Sequence, residues 1–242
     1  MAMFKIMTFN IATCREPEGG IIDVARIIEG EQADIIAMQE VDKCTYRSGA
    51  STDQLSLLAH HANYPHKLFI SSMDFQGGQY GNGVLSRHYF DTVVIARLDG
   101  QNQGEPRSLG IVSFKISNDQ QVFFGFTHLE HAIENLREAQ VKEIIEIYRR
   151  NKLEDQPFIL AGDFNDEPKS QAIQLLLTEG GFHLPCGQQC PMTYPAENPT
   201  MTIDYIFINT KAAEMFQVNA YRTLDNEKSS DHLPLILELK RR

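Results

Sequence analysis

Short apolar runs that close on polar residues recur along the whole chain. Runs of this kind, bounded by Gly, Asp, Asn or Pro, predict strands, whereas apolar residues spaced three or four apart predict helices. The predicted strands cover residues 4–10, 35–40, 67–74, 83–86, 89–98, 108–116, 121–128, 158–163, 204–209, 218–222 and 233–239. The predicted helices cover residues 21–29, 53–62, 133–152 and 170–179.

The third predicted helix has the clearest amphipathic pattern. Its apolar stripe, which we expect to face the core, consists of Ile133, Leu136, Val141, Ile144, Ile145 and Tyr148. The charged residues on its other faces predict an exposed surface to which we assign no function: Glu134, Arg137, Glu138, Lys142, Glu143 and Glu146.

Many strands with a few helices between them predict an α/β protein that has more than one sheet, with helices covering the outer faces. Asn118-Asp119 predicts a hairpin turn between two strands, so the sheets should be mixed. Because no repeat or low-complexity linker interrupts the chain, we expect a single domain over residues 1–242.

Charge and cysteine content narrow the class of protein. The net charge of −10 argues against tight, non-specific binding to a polyanion, since that affinity comes from Lys and Arg. Four cysteines are too sparse for a disulfide scaffold and lack zinc spacing, which favours reduced thiols: Cys14, Cys44, Cys186 and Cys190. No signal sequence and no apolar run of roughly 20 residues is present, so we expect a cytoplasmic protein without a transmembrane segment.

The predicted strand ends carry polar side chains. Gly162-Asp163-Phe164-Asn165 follows an apolar run, and side chains two apart on an extended chain share a face, so Asp163 and Asn165 should point the same way. The alternative is that these residues only turn the chain. The same pattern places further polar groups at strand edges: Asn10, Glu40, His128, Asp204, Asp231 and His232.

This inventory fits Mg²⁺-assisted attack of water on a phosphate ester. Carboxylates ligate a hard cation, imidazoles handle protons or charge, and amides donate to an oxyanion. The chain has no zinc-type Cys or His spacing, no Gly-rich nucleotide loop and no Gly-x-Ser-x-Gly motif.

Six short motifs occur in the order of a known superfamily: Thr8-Phe9-Asn10-Ile11, Gln39-Glu40-Val41, Thr127-His128-Leu129, Gly162-Asp163-Phe164-Asn165, Ile203-Asp204-Tyr205-Ile206 and Ser230-Asp231-His232-Leu233-Pro234. The chain resembles the endonuclease/exonuclease/phosphatase superfamily, which includes pancreatic deoxyribonuclease, neutral sphingomyelinases and inositol polyphosphate 5-phosphatases. The resemblance implies a four-layer α/β sandwich, with two mixed, mainly antiparallel sheets packed face to face and helices outside. It also implies a site among the loops at one edge.

The resemblance implies roles for individual residues. Glu40 would be the principal ligand of Mg²⁺, for which Mn²⁺ could substitute, and Asn10 and Asp231 would be further metal ligands. Asp204 and His232 would form a carboxylate–imidazole pair that activates water or stabilises the transition state.

Asp163 would handle a proton, either from the attacking water or toward the leaving oxygen, and whether Asp163 or His232 is the general base stays open. Asn165 and His128 would hold non-bridging phosphate oxygens. Residues 11–13 stand where some nucleases of the superfamily carry a further carboxylate, and here that stretch has none.

Two other segments could contribute to the site. The Gly-rich stretch at residues 77–87 resembles a family segment, and Tyr80 or Asn82 could reach the substrate, although an ordinary hairpin is the alternative. Arg47 could reach a phosphate, with a solvated side chain as the alternative.

Three functions remain open for this chain. The first is a phosphodiesterase acting on a lipid headgroup or another small phosphoester. The second is a nuclease acting on DNA or RNA, and the third is a catalytically silent binding module. Scattered Lys and Arg, and aromatic residues that do not interleave with them, favour the first.

Overall fold

The computed structural model describes residues 3–16, 20–98, 104–116, 120–187, 189–224 and 228–242. Its first sheet contains β1 (Met3–Asn10), β2 (Ile35–Lys43), β3 (His66–Phe75), β4 (Gly78–Ser86), β11 (Phe216–Thr223) and β12 (Leu235–Arg241). These strands lie in the order β11-β12-β1-β2-β4-β3. Strands β1 and β2 are parallel, and the other neighbours in the sheet are antiparallel.

The second sheet also has six strands. They are β5 (Thr92–Leu98), β6 (Arg107–Ile116), β7 (Gln120–His128), β8 (Phe158–Asp163), β9 (Phe182–His183) and β10 (Asp204–Asn209). Their order is β5-β6-β7-β8-β10-β9, and β7 and β8 form its one parallel pair among the described residues.

The α-helices of the described chain are α1 (Ile21–Glu31), α2 (Gln54–His61), α3 (Glu134–Arg150), α4 (Gln171–Thr178) and α5 (Thr210–Met215). Asp53 caps α2 by accepting the Ser56 N–H, and Ser170 caps α4 by accepting the Ile173 N–H. A polar side chain at this position satisfies a backbone donor that the first turn leaves without a partner, so it fixes where each helix begins.

Hydrophobic packing divides the molecule into four layers. Phe4 and Ile6 of the first sheet share one buried cluster with Phe124 and Phe126 of the second, so the two sheets pack face to face. A second cluster joins α3 and α4 to the outer face of the second sheet, and a third joins α1 and α2 to the outer face of the first. The predicted four-layer α/β sandwich with mixed, mainly antiparallel sheets is confirmed.

The differences from the predicted elements lie where the sequence pattern is short or interrupted. Strand β9 has two residues and α5 has six, too few for a periodic pattern, and neither was predicted. Strand β4 begins at Gly78, so much of the Gly-rich stretch is strand rather than loop. The predicted turn at Asn118-Asp119 lies outside the described residues.

Arg137 corrects the prediction for the charged face of α3. Its side chain is buried, and its Nε donates to Asp166 Oδ2 at 2.9 Å while Nη1 donates to the carbonyls of Glu130 and His131. Arg137 therefore ties the segment after β7 to the segment after β8. Periodicity alone could not show this, because it does not distinguish a solvated charge from a paired one.

The predicted state of one cysteine pair was wrong. Cys186 and Cys190 form a disulfide, with Cα atoms 4.9 Å apart, whereas Cys14 and Cys44 are free. The Gly187 N–H donates to the Leu184 carbonyl and closes a turn that contains Cys186. Among the described residues, no helix has the length and apolar character needed to cross a bilayer.

Candidate active site

The strand ends of both sheets meet at one edge of the sandwich. His128 of β7 and Asp204 of β10 each pair in register with Asp163 of β8, which places the three residues in one row across the second sheet. In the first sheet, β1 ends at Asn10 on the same side, and Asn10 Nδ2 lies 3.0 Å from Asp163 Oδ2. This hydrogen bond joins the two sheets at the site.

Strand alternation explains why these four side chains converge. Within each strand, every second residue faces the layer between the sheets, as Ile159 and Ala161 do in β8. Asp163 continues that sequence of inward positions by one step. Asn10, His128 and Asp204 hold the equivalent positions of their strands, so the polar site lies directly above the apolar core.

Glu40 does not end a strand, as the sequence predicted, but lies in a bulge within β2. Strand β2 continues to Lys43, and its register with β4 shifts between Met38 and Val41. Glu40 lies in this bulge with φ 57°, a left-handed conformation that is rare for a residue with a side chain. Strict alternation would send Glu40 outward with Met38, so the bulge turns its carboxylate into the site.

The predicted shared face of Asp163 and Asn165 needs a similar correction. Strand β8 ends at Asp163, and Asn165 has φ 51°, so the two side chains are not related by strand alternation. Asp163 Oδ1 accepts the Asn165 N–H at 2.9 Å, which fixes the turn. The residues therefore do turn the chain, as in the alternative interpretation, and the turn still leaves both at the same cleft.

Asp204 and His232 form the predicted carboxylate–imidazole contact. His232 Nδ1 lies 2.9 Å from Asp204 Oδ2, and both side chains are buried. Although burial opposes the charged ring, the negative charges of Asp204 and then Asp163 outweigh it and raise the pKa of His232 to about 10. His232 is therefore an imidazolium at neutral pH.

Asp163 has a carboxyl group that titrates near neutrality. Burial raises its pKa most, the charge of Asp204 adds to that rise, and His232 opposes it, with a resulting pKa of about 7. His128 behaves in the opposite sense, because burial and the charge of Arg107 hold its pKa well below 6.5. At neutral pH the site thus combines a charged imidazole, a neutral imidazole and a carboxyl group that is about half ionised.

The amide of Asn10 is oriented by its neighbours. Its Oδ1 accepts the Ala12 N–H at 3.1 Å, and its Nδ2 faces Glu40 Oε1 at 3.3 Å as well as Asp163. Asn10 thus presents a donor to the carboxylates, and its oxygen keeps one lone pair beyond the bond to Ala12. Its role as a metal ligand stays a prediction.

Asn165 and His128 are bonded to each other. Asn165 Nδ2 donates to the Leu129 carbonyl and lies 3.0 Å from His128 Nε2. Since an amide nitrogen only donates, His128 Nε2 is the acceptor, which agrees with a neutral ring. Both N–H groups of Asn165 are therefore used inside the protein, and the predicted contact of these two residues with phosphate stays a prediction.

A cleft of about 450 Å³ opens over these groups. The predicted site residues on its walls are Glu40, His128, Asp163, Asn165, Asp231 and His232. The sequence interpretation missed Arg107, and it named Tyr80 only as an open alternative, yet both line the cleft. The position of Arg107 at the first residue of β6, on the same edge as His128, was the one available signal.

Arg107 is the guanidinium of the cleft. Only 3% of the residue is exposed, and its Nη2 lies 3.3 Å from Glu105 Oε1 and 3.4 Å from His131 Nδ1. Its Nε has no hydrogen-bond partner among the described residues. A buried donor without a partner is costly, so Arg107 is suited to an anionic ligand in the cleft.

Two other candidates have structural partners. Arg47 is half-buried and forms two bonds with the buried carboxylate of Asp42, at 2.8 and 2.9 Å, so its guanidinium is held by Asp42 and not directed at the cleft. Asn82 is buried and donates to Ser108 between the sheets. Neither residue lines the cleft.

Two groups of side chains could hold a metal ion. Asp163, Asp204 and His232 offer atoms within 4.8 Å of one another, but all three are buried. His232 already bonds Asp204, and an imidazolium has no free lone pair, so this group fits an acid–base network better. Glu40 and Asp231 offer carboxylates on the open cleft, the ligand type that Mg²⁺ prefers.

Comparison with known proteins decides the family. The model of the endonuclease/exonuclease/phosphatase family matches residues 7–232. The chain belongs to this family. Its members are hydrolases of phosphoesters that generally depend on a divalent metal ion, and the chain is an enzyme of that class.

Solved structures of the family share the fold. An endonuclease/exonuclease/phosphatase from Beutenbergia cavernae is 24% identical, covers 100% of this chain and 72% of its own, and gives a TM-score of 0.80. The catalytic domain of human Nocturnin, solved with a sulfate anion, is 19% identical with coverages of 99% and 94% and a TM-score of 0.80. A mannosyl-6-phosphatase from Bacteroides thetaiotaomicron is 18% identical with coverages of 98% and 99% and a TM-score of 0.74. A search of curated proteins finds no match.

Proposed function

We propose that this protein is a Mg²⁺-dependent phosphodiesterase that hydrolyses a lipid headgroup or another small phosphoester by attack of water. The observation that carries the proposal is the meeting of Glu40, Asp163 and His232 in one cleft beside Arg107. This reaction needs four components, namely a metal ligand, a proton acceptor, a fixed positive charge and a guanidinium that binds phosphate.

Glu40 and Asp231 would hold the metal ion. Burial raises the pKa of Glu40, which means that its carboxylate lacks full compensation inside the protein, and a cation would provide it. When bound there, Mg²⁺ supplies Lewis-acid polarisation of the phosphate ester, and Mn²⁺ could replace it. Asn10 would orient Glu40 through its Nδ2 bond.

Asp163 is the general base in this proposal. With a pKa of about 7, it is largely ionised just above neutrality and still basic enough to accept a proton from water. The water oxygen forms a bond to phosphorus, the water proton moves to Asp163, and the bond from phosphorus to the alcohol oxygen breaks. The departing alcohol takes a proton from the solvent.

His232 supplies positive charge rather than a base. Its pKa of about 10 leaves no vacant nitrogen at neutral pH, so it can donate a hydrogen bond to the phosphate as negative charge develops. Asp204 holds the ring in that orientation and state.

Arg107, Asn165 and His128 form the phosphate-binding wall. Arg107 lines the cleft, and its guanidinium would donate to a non-bridging oxygen. A phosphate oxygen can also replace His128 Nε2 as the acceptor of Asn165 Nδ2.

The distribution of charge supports a small substrate. The basic C-terminal run includes Lys240, which pairs with Met3 at the end of β1 opposite Asn10 and hence far from the cleft. A neighbouring cavity of about 290 Å³ shares Asp231 with the cleft and gives room for the alcohol part of a small ester. A polymer would need a track of cations, which net charge −10 disfavours.

The experiment is a hydrolysis screen with Mg²⁺ or Mn²⁺. Its substrates are bis-p-nitrophenyl phosphate, p-nitrophenyl phosphate, glycerophosphodiesters, sphingomyelin, phosphoinositides, mannose 6-phosphate, nucleotides, DNA and RNA. We expect the highest kcat/KM on a small or lipid phosphodiester. Preferred, steeply salt-dependent cleavage of DNA or RNA would instead establish a nuclease. Failure on every substrate would leave the catalytically silent binding module.

A further inference from the structure

Three consecutive residues after Asn10 have a left-handed backbone. Ala12, Thr13 and Cys14 have φ values of 44°, 55° and 52°, and Glu40 on the neighbouring strand has φ 57°. Residues with a Cβ avoid this region, and such conformations persist where the surrounding structure fixes them, often at functional sites. The unusual backbone therefore lies on both sides of the contact between Asn10 and Glu40, in the turn after β1 and in the bulge of β2.

The left-handed turn sets the orientation of Asn10. The Ala12 N–H donates to Asn10 Oδ1, so Asn10 Nδ2 is directed at Glu40 Oε1. The turn therefore acts on Glu40 through Asn10.

One side chain connects the turn with the bulge. Gln54, the first residue of α2, is 2% exposed, and its Oε1 accepts the Asp42 N–H at 2.7 Å. Its Nε2 donates to the Thr13 carbonyl. Thr13 lies in the left-handed turn, and Asp42 lies two residues after Glu40 in β2.

We propose that Gln54 is a positioning residue that locks the turn after Asn10 to the bulge at Glu40 and thereby sets the metal affinity of the site. This inference rests on the proposed function, because it takes Glu40 as a metal ligand. The carboxamide suits the task, since one group must both accept from a backbone N–H and donate to a backbone carbonyl. Gln54 does not line the cleft.

If Gln54 had a purely structural role, its substitution would have a different effect. Loss of a buried hydrogen bond would then lower stability without a selective effect on metal binding. Asn209 provides the matched control, because it is also buried and bonded, donating to Tyr148 and to the Gln156 carbonyl at the opposite end of β10. Asn209→Leu should lower the melting temperature and leave metal affinity unchanged.

The test is calorimetric titration of the metal-free full chain with Mn²⁺ and with Mg²⁺. For Gln54→Met we expect a Kd raised about 10–100-fold, the range found for residues that orient metal ligands. At saturating metal, kcat should return to within about threefold of the wild-type value, because the catalytic groups are intact. Gln54→Glu keeps the acceptor for Asp42 and loses the donor to Thr13, so it should shift Kd in the same direction if Gln54→Met does not fold.

Two results would overturn the inference: a wild-type Kd in folded Gln54→Met, or an equal rise in Kd in Asn209→Leu. Glu40→Gln separates this failure from that of the proposed function. If Glu40→Gln abolishes metal binding while Gln54→Met leaves it unchanged, only the role of Gln54 falls. If the wild type binds no metal, or Glu40→Gln binds it normally, the proposed function and this inference fall together.

Discussion

Arg107 is the residue that we expect to bind the phosphate of the substrate. Its guanidinium is buried at the cleft, where its Nε lacks a partner among the described residues. We expect Arg107→Ala to lower kcat/KM about 100-fold or more, with partial recovery in Arg107→Lys, because a charged hydrogen bond to phosphate is lost. Steady-state kinetics on the best small substrate measure this.

Arg26 is the matched control for Arg107, since it is an exposed arginine of α1 paired with Asp23. Arg26→Ala should behave as the wild type. Equal kinetics in Arg107→Ala and Arg26→Ala would remove Arg107 from the phosphate-binding wall.

Asp163 makes a prediction about stability and pH. Its pKa rises on folding from 3.8 to about 7, so the folded state binds its proton more tightly than the unfolded state. That contribution is fully present below pH 3.8 and is lost as pH rises through about 7. In metal-free protein, the free energy of unfolding should therefore fall by a few kcal/mol, on the order of 1.4 kcal/mol per unit, over this window.

Urea denaturation at successive pH values measures that fall. The comparison is with Asp163→Asn, which has no titrating group at this position and should lack the part of the decline assigned to Asp163. If the difference in unfolding free energy between the two proteins is constant from pH 4 to 7, the raised pKa of Asp163 is contradicted.

At the scale of elements, the close approach of β7 and β8 keeps His128 and Asp163 in register. Gly162 has φ 153°, and a Cβ there would lie 2.1 Å from the Thr127 carbonyl oxygen. Since this neighbour is backbone, relief requires the two strands to move apart. Gly162→Ala should therefore lower both the melting temperature and the turnover.

Gly30→Ala in α1 provides the control, because a Cβ there meets nothing within 4 Å. A helical Gly→Ala change of this kind should raise stability by about 0.5–1 kcal/mol and leave turnover unchanged. Thermal unfolding and kinetics of the two variants give the comparison. Wild-type turnover in Gly162→Ala would show that the register of β7 and β8 does not position the site.

At the scale of the whole molecule, the features that could be predicted from the sequence are those that depend on the regular spacing of apolar residues. Eleven strands and the four outer helices follow from the spacing of apolar residues, the resemblance to the family implied the four-layer arrangement, and the structure confirms both. The inward positions of Asn10, His128, Asp163 and Asp204 follow from the same alternation.

Other features depend on contacts between distant parts of the chain. The inward turn of Glu40 arises from a bulge, the burial of Arg137 from its pairing with Asp166, and one contact of Arg107 from His131, which is 24 residues away along the chain. Local spacing carries no signal of such contacts. The catalytic roles of the site residues stay predictions that the kinetics of variants can test.

The most direct test of the central claim is metal-dependent hydrolysis of bis-p-nitrophenyl phosphate by the wild type and Glu40→Gln. Glu146→Gln on the exposed face of α3 removes the same charge and serves as the control. We predict Mg²⁺-dependent turnover in the wild type and in Glu146→Gln, and a loss of about 100-fold or more in Glu40→Gln at equal Mg²⁺. Turnover in Glu40→Gln equal to that of the wild type, or wild-type turnover that persists in excess EDTA, would contradict the account.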